Sequence, residues 1–234
     1  MKLKRILTLI LGMSVIISSS IIMGKLDSIN TVATFNDLNT PIIIIDAGHG
    51  NFDGGAVAND GTVEKDINLQ VSLNLAEICR TNGLPVFMVR EDDSSLEDDD
   101  SGTIRQRKNS DLHNRSLLME KYDNSIYVSI HMNKFSDSSV HGAQVFYSPK
   151  YENAKLLAKH IQDAVKYVQE DNNRVIKKGT QDTYLLYNAK CPAVIVECGF
   201  LSNPIDLKNL KNDNYRSKLA FCIYLGILKY LNGV

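Results

Sequence analysis

Hydrophobic residues along this chain follow two patterns: short β-branched runs, and longer segments in which apolar positions recur at helical spacing. Residues 42–46, 85–90, 125–130 and 193–196 are the runs. They are apolar at most positions and read as strands covered on both faces, which favours a parallel sheet. Residues 142–147 alternate instead, and the loop before them is too short for a helical crossover. They are expected as an antiparallel edge strand. Residues 64–80 carry Ile67, Val71, Leu75 and Ile78 on one helical face and end near Asn82-Gly83. Further helices are expected over about 105–121, over 151–168 with Ala154, Leu157, Ala158, Ile161 and Val165 on one face, and over 215–231. Tyr184–Tyr187 reads as a short strand. Residues 91–100 are acidic without an apolar period and read as an exposed loop. The alternation predicts a single α/β domain with a mixed, mostly parallel sheet flanked by helices.

Four polar residues sit where these elements end or begin. His49 follows the first run, Glu64 opens a helix, His131 ends the third run and Glu197 ends the fourth. The carboxyl ends of parallel strands share one edge, and ligands of open α/β sheets bind there. His49, Glu64 and His131 then make a three-ligand set of the kind that holds a catalytic zinc ion with one position left open. Glu197 is left as general base, taking a proton from the attacking water and returning it to the leaving amine. Gly48 and Gly50 flank His49 and let the chain turn after the strand. Asp46, three residues before His49, is expected to orient an imidazole by accepting its other N–H. Taken singly, a histidine at a strand end is more often a satisfied structural group; the joint placement at one sheet edge carries the reading. His141 is a candidate for the cleft border, whereas His113 and His160 are expected on the surface.

Composition changes this picture little. The 234 residues are enough for one domain with a substantial core. A formal net charge of −1 leaves no global field to recruit nucleic acid, and Arg174, Lys177 and Lys178 read as a solvated face. The four cysteines show no C-x-x-C spacing; Cys79, Cys198 and Cys222 look like small core hydrophobes, with a disulfide left open because connectivity is unreadable from spacing. At the N-terminus Lys2, Lys4 and Arg5 precede an apolar stretch from Ile6 to Met23. Residues 1–26 are expected as a signal peptide or an N-terminal membrane anchor, 27–40 as a linker and 41–234 as the catalytic domain. Either reading exports the domain across the cytoplasmic membrane, secreted or anchored.

The segments Ile45-Asp-Ala-Gly-His-Gly, Glu64-Lys-Asp-Ile-Asn-Leu, Val89-Arg, Ser129-Ile-His-Met-Asn and Val196-Glu-Cys-Gly-Phe-Leu-Ser-Asn resemble, in order, the zinc-dependent N-acetylmuramoyl-L-alanine amidases. The resemblance implies a six-stranded, mainly parallel sheet flanked by helices, with His49, Glu64 and His131 as zinc ligands and Glu197 as catalytic glutamate. It also implies peptidoglycan as substrate, cut between N-acetylmuramic acid and L-alanine. Arg90 and Arg115 fall in family-like contexts, as structural ion pairs or as substrate contacts. Asn133 is suited to a substrate hydrogen bond or to fixing its own loop. Asn51 and Met132-Asn133-Lys134 depart from the commoner small-residue pattern. No wall-binding repeat is recognisable beside the domain, which is similar in this respect to sporulation-specific members that act on spore cortex. Those remove peptide stems as a step towards muramic-δ-lactam, which would put the chain in the forespore intermembrane space. A positioning or activating protein partner, or membrane retention, is expected to supply the missing targeting. The acidic loop 91–100 is either a regulator of access or a solvated loop. Another zinc peptidase acting on stems, and a non-catalytic wall-binding pseudoenzyme, are the alternatives; the four filled positions argue against the latter.

Overall fold

Ile43, Ile44 and Ile45 have no exposed surface, as the run of β-branched residues predicts for a strand covered on both faces. They lie in β1 (Ile42–Ala47) of a computed structural model that describes residues 40–233. The other elements are α1 (Glu64–Thr81), β2 (Val86–Met88), α2 (Ile104–Leu118), β3 (Ser125–Asn133), β4 (Gln144–Tyr147), α3 (Glu152–Val165), β5 (Lys177–Lys178), α4 (Tyr184–Tyr187), β6 (Ala193–Phe200), α5 (Pro204–Leu210) and α6 (Asp213–Leu231). The strands form one six-stranded sheet in the order β2-β1-β3-β6-β4-β5. β2, β1, β3 and β6 run parallel, β4 is antiparallel to β6, and β5 is parallel to β4.

Helices cover both faces. On one, α1 and α3 pack against the sheet and α6 packs against both, through Val71, Leu75, Leu157, Ile161, Ile223 and Ile227, all without exposed surface. On the other, Ile44, Tyr127 and Ala193 meet Met119 after α2 and Leu185 and Leu186 of α4. Each such aliphatic side chain contributes roughly 1.5–3 kcal/mol of transfer free energy. Local signals agree with the packing. α2 starts at a capping box formed by Thr103 and Gln106, and α5 and α6 start at the capping side chains of Asn203 and Asn212.

The mixed, mostly parallel sheet matches expectation; three details do not. Tyr184–Tyr187 is a helical turn, because Leu185 and Leu186 are buried in succession between exposed tyrosines, whereas a strand would send neighbours to opposite faces. β4 is not the edge: β5 lies outside it, a two-residue strand whose exposed lysines give no apolar signal and suit a solvated edge. Arg174 leaves the solvated cluster to lie over the Phe200 ring, 4.5 Å from its centroid, and to donate to the His141 carbonyl.

All four cysteines are free and buried, as core thiols. Among the described residues no helix is long and apolar enough to cross a membrane. The segment expected as signal or anchor, and its linker up to residue 39, lie outside the described residues.

Candidate metal centre

The site begins with a backbone turn. After β1 the chain enters the left-handed region at His49 (φ 63°) and Asn51 (φ 47°), with Gly50 at φ 144° between them. L side chains rarely adopt this region, and asparagine tolerates it better than most. Backbone bonds of 3.0 Å in both directions between Gly50 and Asp53 close the turn. Just before it, a Cβ on Gly48 would stand 2.2 Å from His131 Nε2, so only glycine lets the imidazole lie against the backbone.

Glu64 occupies the first position of α1, where its carboxylate is 4% exposed and central to the cluster. Its Oε1 lies 2.9 Å from His131 Nδ1 and 3.3 Å from His49 Nε2, and its Oε2 accepts from the Ala56 amide at 2.7 Å. The Met132 amide also donates to Oε1, which ties the carboxylate to the end of β3. One donor atom from each of His49, Glu64 and His131 lies within 4.8 Å of the others. The remaining ring nitrogens are accounted for: His49 Nδ1 donates to Asp53 at 2.8 Å, and His131 Nε2 packs on Gly48. The nitrogens left to face a common point are His49 Nε2 and His131 Nδ1. This donor set, two imidazoles and one carboxylate converging from three elements, fits a divalent metal ion of the zinc type.

The electrostatics follow from the convergence. Burial depresses the His49 imidazolium, but hydrogen bonds and charge from Asp53 and Glu64 outweigh it and raise the pKa to about 9. Burial works against the Glu64 carboxylate too, and His131 and His49 hold it well below the usual range. Glu197 is the opposite case. Burial, helped by the charge of Glu64, pushes its carboxyl up to about 7 against the pull of His131 and His49. Its Oε2 is shielded and accepts no hydrogen bond among the described residues. Glu197 is the register partner of His131 across β3 and β6. A perturbed carboxyl with a shielded oxygen beside such a cluster marks a candidate functional group.

Asp46 does not orient an imidazole. It shares the sheet face of Ile44, where strand alternation turns it towards α2, and it pairs there with buried Arg115 and accepts from Ser129 Oγ at 2.6 Å. The orienting role falls to Asp53, which also takes Lys108 Nζ at 2.7 Å. Its signal was the i,i+4 spacing from His49 across a glycine turn. Arg115 is a structural ion pair, with Asp46 and Asp111, and donates to the His49 carbonyl at 2.7 Å. Arg90 grips carbonyls of Ala47, Gly48, Lys65 and Asp92. Asn133 fixes its own loop, accepting from the Lys134 amide. His141 does not border the metal cluster; it lines a separate cavity of about 360 Å³ with Gln169, Asp206 and Tyr215. His113 is exposed as expected, whereas His160 is half-buried and burial lowers its pKa.

An open, mostly parallel sheet with imidazoles and carboxylates gathered at its carboxyl edge is the build of a metal-assisted α/β hydrolase. Residues 43–229 match the family model described as N-acetylmuramoyl-L-alanine amidase. The germination-specific N-acetylmuramoyl-L-alanine amidase of Bacillus subtilis is 37% identical over 193 residues, covering 82% of this chain and 81% of that protein. The CwlD amidase of Clostridioides difficile, solved in complex with the GerS lipoprotein, superposes with a TM-score of 0.79 at 43% identity, covering 83% of this chain and 100% of that one. The AmiC2 amidase of Nostoc punctiforme gives a TM-score of 0.71 at 28% identity, covering 82% of this chain and 98% of that one. This chain belongs to the N-acetylmuramoyl-L-alanine amidase family, and its enzymatic class is that of an amidase acting on peptidoglycan.

Proposed function

We propose that this protein is a zinc amidase of the spore cortex, with His49, Glu64 and His131 as metal ligands and Glu197 as the catalytic glutamate. The observation that carries the residue roles is the position of Glu197: directly across from His131, with a shielded Oε2 that accepts no hydrogen bond among the described residues. Zinc bound by the three ligands supplies Lewis acidity to the amide carbonyl and to the attacking water. Glu197 takes the proton from that water and hands it to the amine of L-alanine as the amide C–N bond breaks. A carboxylate placed beside the attacking water can serve both transfers, taking the proton and returning it to the leaving amine. Asp53 holds the His49 ring in the tautomer that leaves Nε2 free for the metal.

The cortex reading is supported by the germination-specific relative and by the CwlD structure. Removal of stems from cortex glycan is the step that precedes muramic-δ-lactam. Residues 1–26 serve as signal peptide or membrane anchor and 27–40 as linker, which delivers the domain 41–234 outside the cytoplasm, where the substrate lies. A protein partner is supported by the complex in which the CwlD neighbour was solved.

The test is mass spectrometry of products released by the zinc-loaded protein from spore and vegetative peptidoglycan, with Glu197→Ala beside it. Intact stems with free L-alanine amines, released from cortex by the parent alone, are expected. Shortened stems would make the protein a peptidase, and equal release by Glu197→Ala would remove that residue from catalysis.

A further inference from the structure

We propose that Asp93, on the acidic loop between β2 and α2, is a positioning residue for the metal centre, clamping the left-handed turn that presents His49. The inference rests on the reading of His49, Glu64 and His131 as metal ligands. The turn is held differently at its two ends. At the near end buried arginines grip the backbone: Arg90 donates to the Gly48 carbonyl and Arg115 to the His49 carbonyl, at 3.1 and 2.7 Å. At the far end both backbone polar groups of Asn51 are held by one ion pair. The Asn51 amide donates to Asp93 Oδ1 at 2.8 Å, and Lys65 Nζ donates to the Asn51 carbonyl at 2.8 Å. Lys65 Nζ also meets Asp93 Oδ2 at 2.6 Å, which closes the triangle.

Lys65 is the residue after Glu64. Asp93 therefore crosslinks the backbone two residues beyond one ligand to the residue adjacent to another. The loop also covers the middle of the turn: a Cβ on Gly50 would stand 2.0 Å from the Ser94 carbonyl oxygen. Behind Asp93 the loop is tied to α2, through the Leu96 amide on Asp111 at 2.7 Å and the Glu97–Arg107 pair at 2.6 Å. Asp93 is thus fixed from behind and applied to the turn from outside. Its side chain is 54% exposed, which makes this the openable end of the clamp. A left-handed turn without its clamp samples other conformations, and each costs the metal a correctly aimed ligand.

The experiment compares zinc dissociation constants of the full chain, by competition with a chromophoric chelator at fixed pH, for the parent, Asp93→Ala, Asp93→Asn and His49→Ala. Parent binding of one zinc that His49→Ala loses establishes the ligand reading. Asp93→Ala is then expected to weaken zinc by about 10- to 100-fold, the scale for lost outer contacts at metal sites. Asp93→Asn recovers part of this, because its amide oxygen still accepts from Asn51 while the charge pair with Lys65 is gone. In the metal-free Asp93→Ala protein the Asn51 amide exchanges hydrogen faster, with core amides and the melting temperature unchanged. Zinc held as tightly by Asp93→Ala as by the parent, or an unchanged Asn51 exchange rate, overturns the role, as does an affinity loss accompanied by a matching loss of metal-free stability. A parent that binds no zinc, or a His49→Ala protein that binds it equally well, removes the ligand reading and the positioning role together.

Discussion

His131 and Glu197 stand directly opposite each other across β3 and β6, so one pairing register delivers the proposed metal ligand and the proposed proton carrier to the same point. Because the two strands are parallel, both side chains leave the sheet at its carboxyl edge. A one-residue slip would send Glu197 to the other face. Glu197→Gln keeps the shape and removes the proton carrier. Activity on peptidoglycan is expected to fall by roughly 100- to 10,000-fold with zinc content unchanged, read by product release beside metal analysis.

The same substitution has a stability signature in the metal-free protein. Burial raises the Glu197 carboxyl from 4.5 to about 7, so between those values the folded state holds a proton that the unfolded chain has released. Stability from this group is lost as pH rises through that window. Urea unfolding of metal-free parent and Glu197→Gln should therefore diverge in the variant's favour between pH 4.5 and about 7, and run in parallel above it.

His49 gives a pH dependence of the opposite chemical origin. Asp53 and Glu64 overcome burial and raise its imidazolium from 6.5 to about 9 in the metal-free protein. Its contribution to metal-free stability is full below 6.5 and lost as pH rises through about 9. A metal ion takes the neutral imidazole, so binding at pH 7.5 must expel the proton. Zinc affinity is expected to increase with pH until about 9 and then to level off in its His49 component. Calorimetry in buffers of different ionisation enthalpy reads the proton released per zinc directly.

The convergence of His49, Glu64, His131 and Glu197 was readable because each ends a run or opens a helix, and parallel topology alone brings such positions to one edge. Asp53 was not readable with equal ease. Its reach to His49 depends on a turn with left-handed residues at His49 and Asn51, and neither strand nor helix periodicity reports on that geometry. Asp46 stood closer in sequence and looked the better partner, yet alternation along β1 commits it to the face where Arg115 lies. Tyr184–Tyr187 misled for a related reason: four residues are too few to separate a period of two from one near four, and only the buried Leu185–Leu186 pair decides it. β5 left no trace because two exposed lysines have no apolar pattern to read.

The ring orientation of His49 should depend on Asp53 in a graded way. Asp53→Ala removes the acceptor from Nδ1, frees the ring to rotate and strands Lys108 without its partner. Zinc affinity is expected to fall about 10- to 100-fold. Asp53→Asn, with an oxygen still able to accept from Nδ1, should lie between parent and alanine variant. Equal affinity of all three in a chelator competition would mean that the turn alone aims the ring.

Arg115 tests how far the buried frame supports the site. It is 1% exposed, pairs with Asp46 and Asp111, and holds the carbonyls of Ala47 and His49. Burial opposes its charge, but Asp46 and Asp111 keep the guanidinium protonated far above neutrality. Arg115→Met fills much of the volume yet leaves Asp46 buried without a counter-charge. Breaking such a pair from one side costs about 3–5 kcal/mol, so a loss of that size is expected in urea unfolding. Arg115→Lys should recover little, since a point charge cannot replace a fork that serves two carboxylates and two carbonyls at once. The double variant Asp46→Leu with Arg115→Met removes the Asp46–Arg115 pair while leaving Asp111 without its Arg115 partner, and should recover part of the stability lost by Arg115→Met. It leaves the His49 carbonyl without its donor, so zinc affinity stays low even as stability returns. That separation between fold and site is the expected result; affinity that recovers with stability would show that Arg115 serves the fold alone.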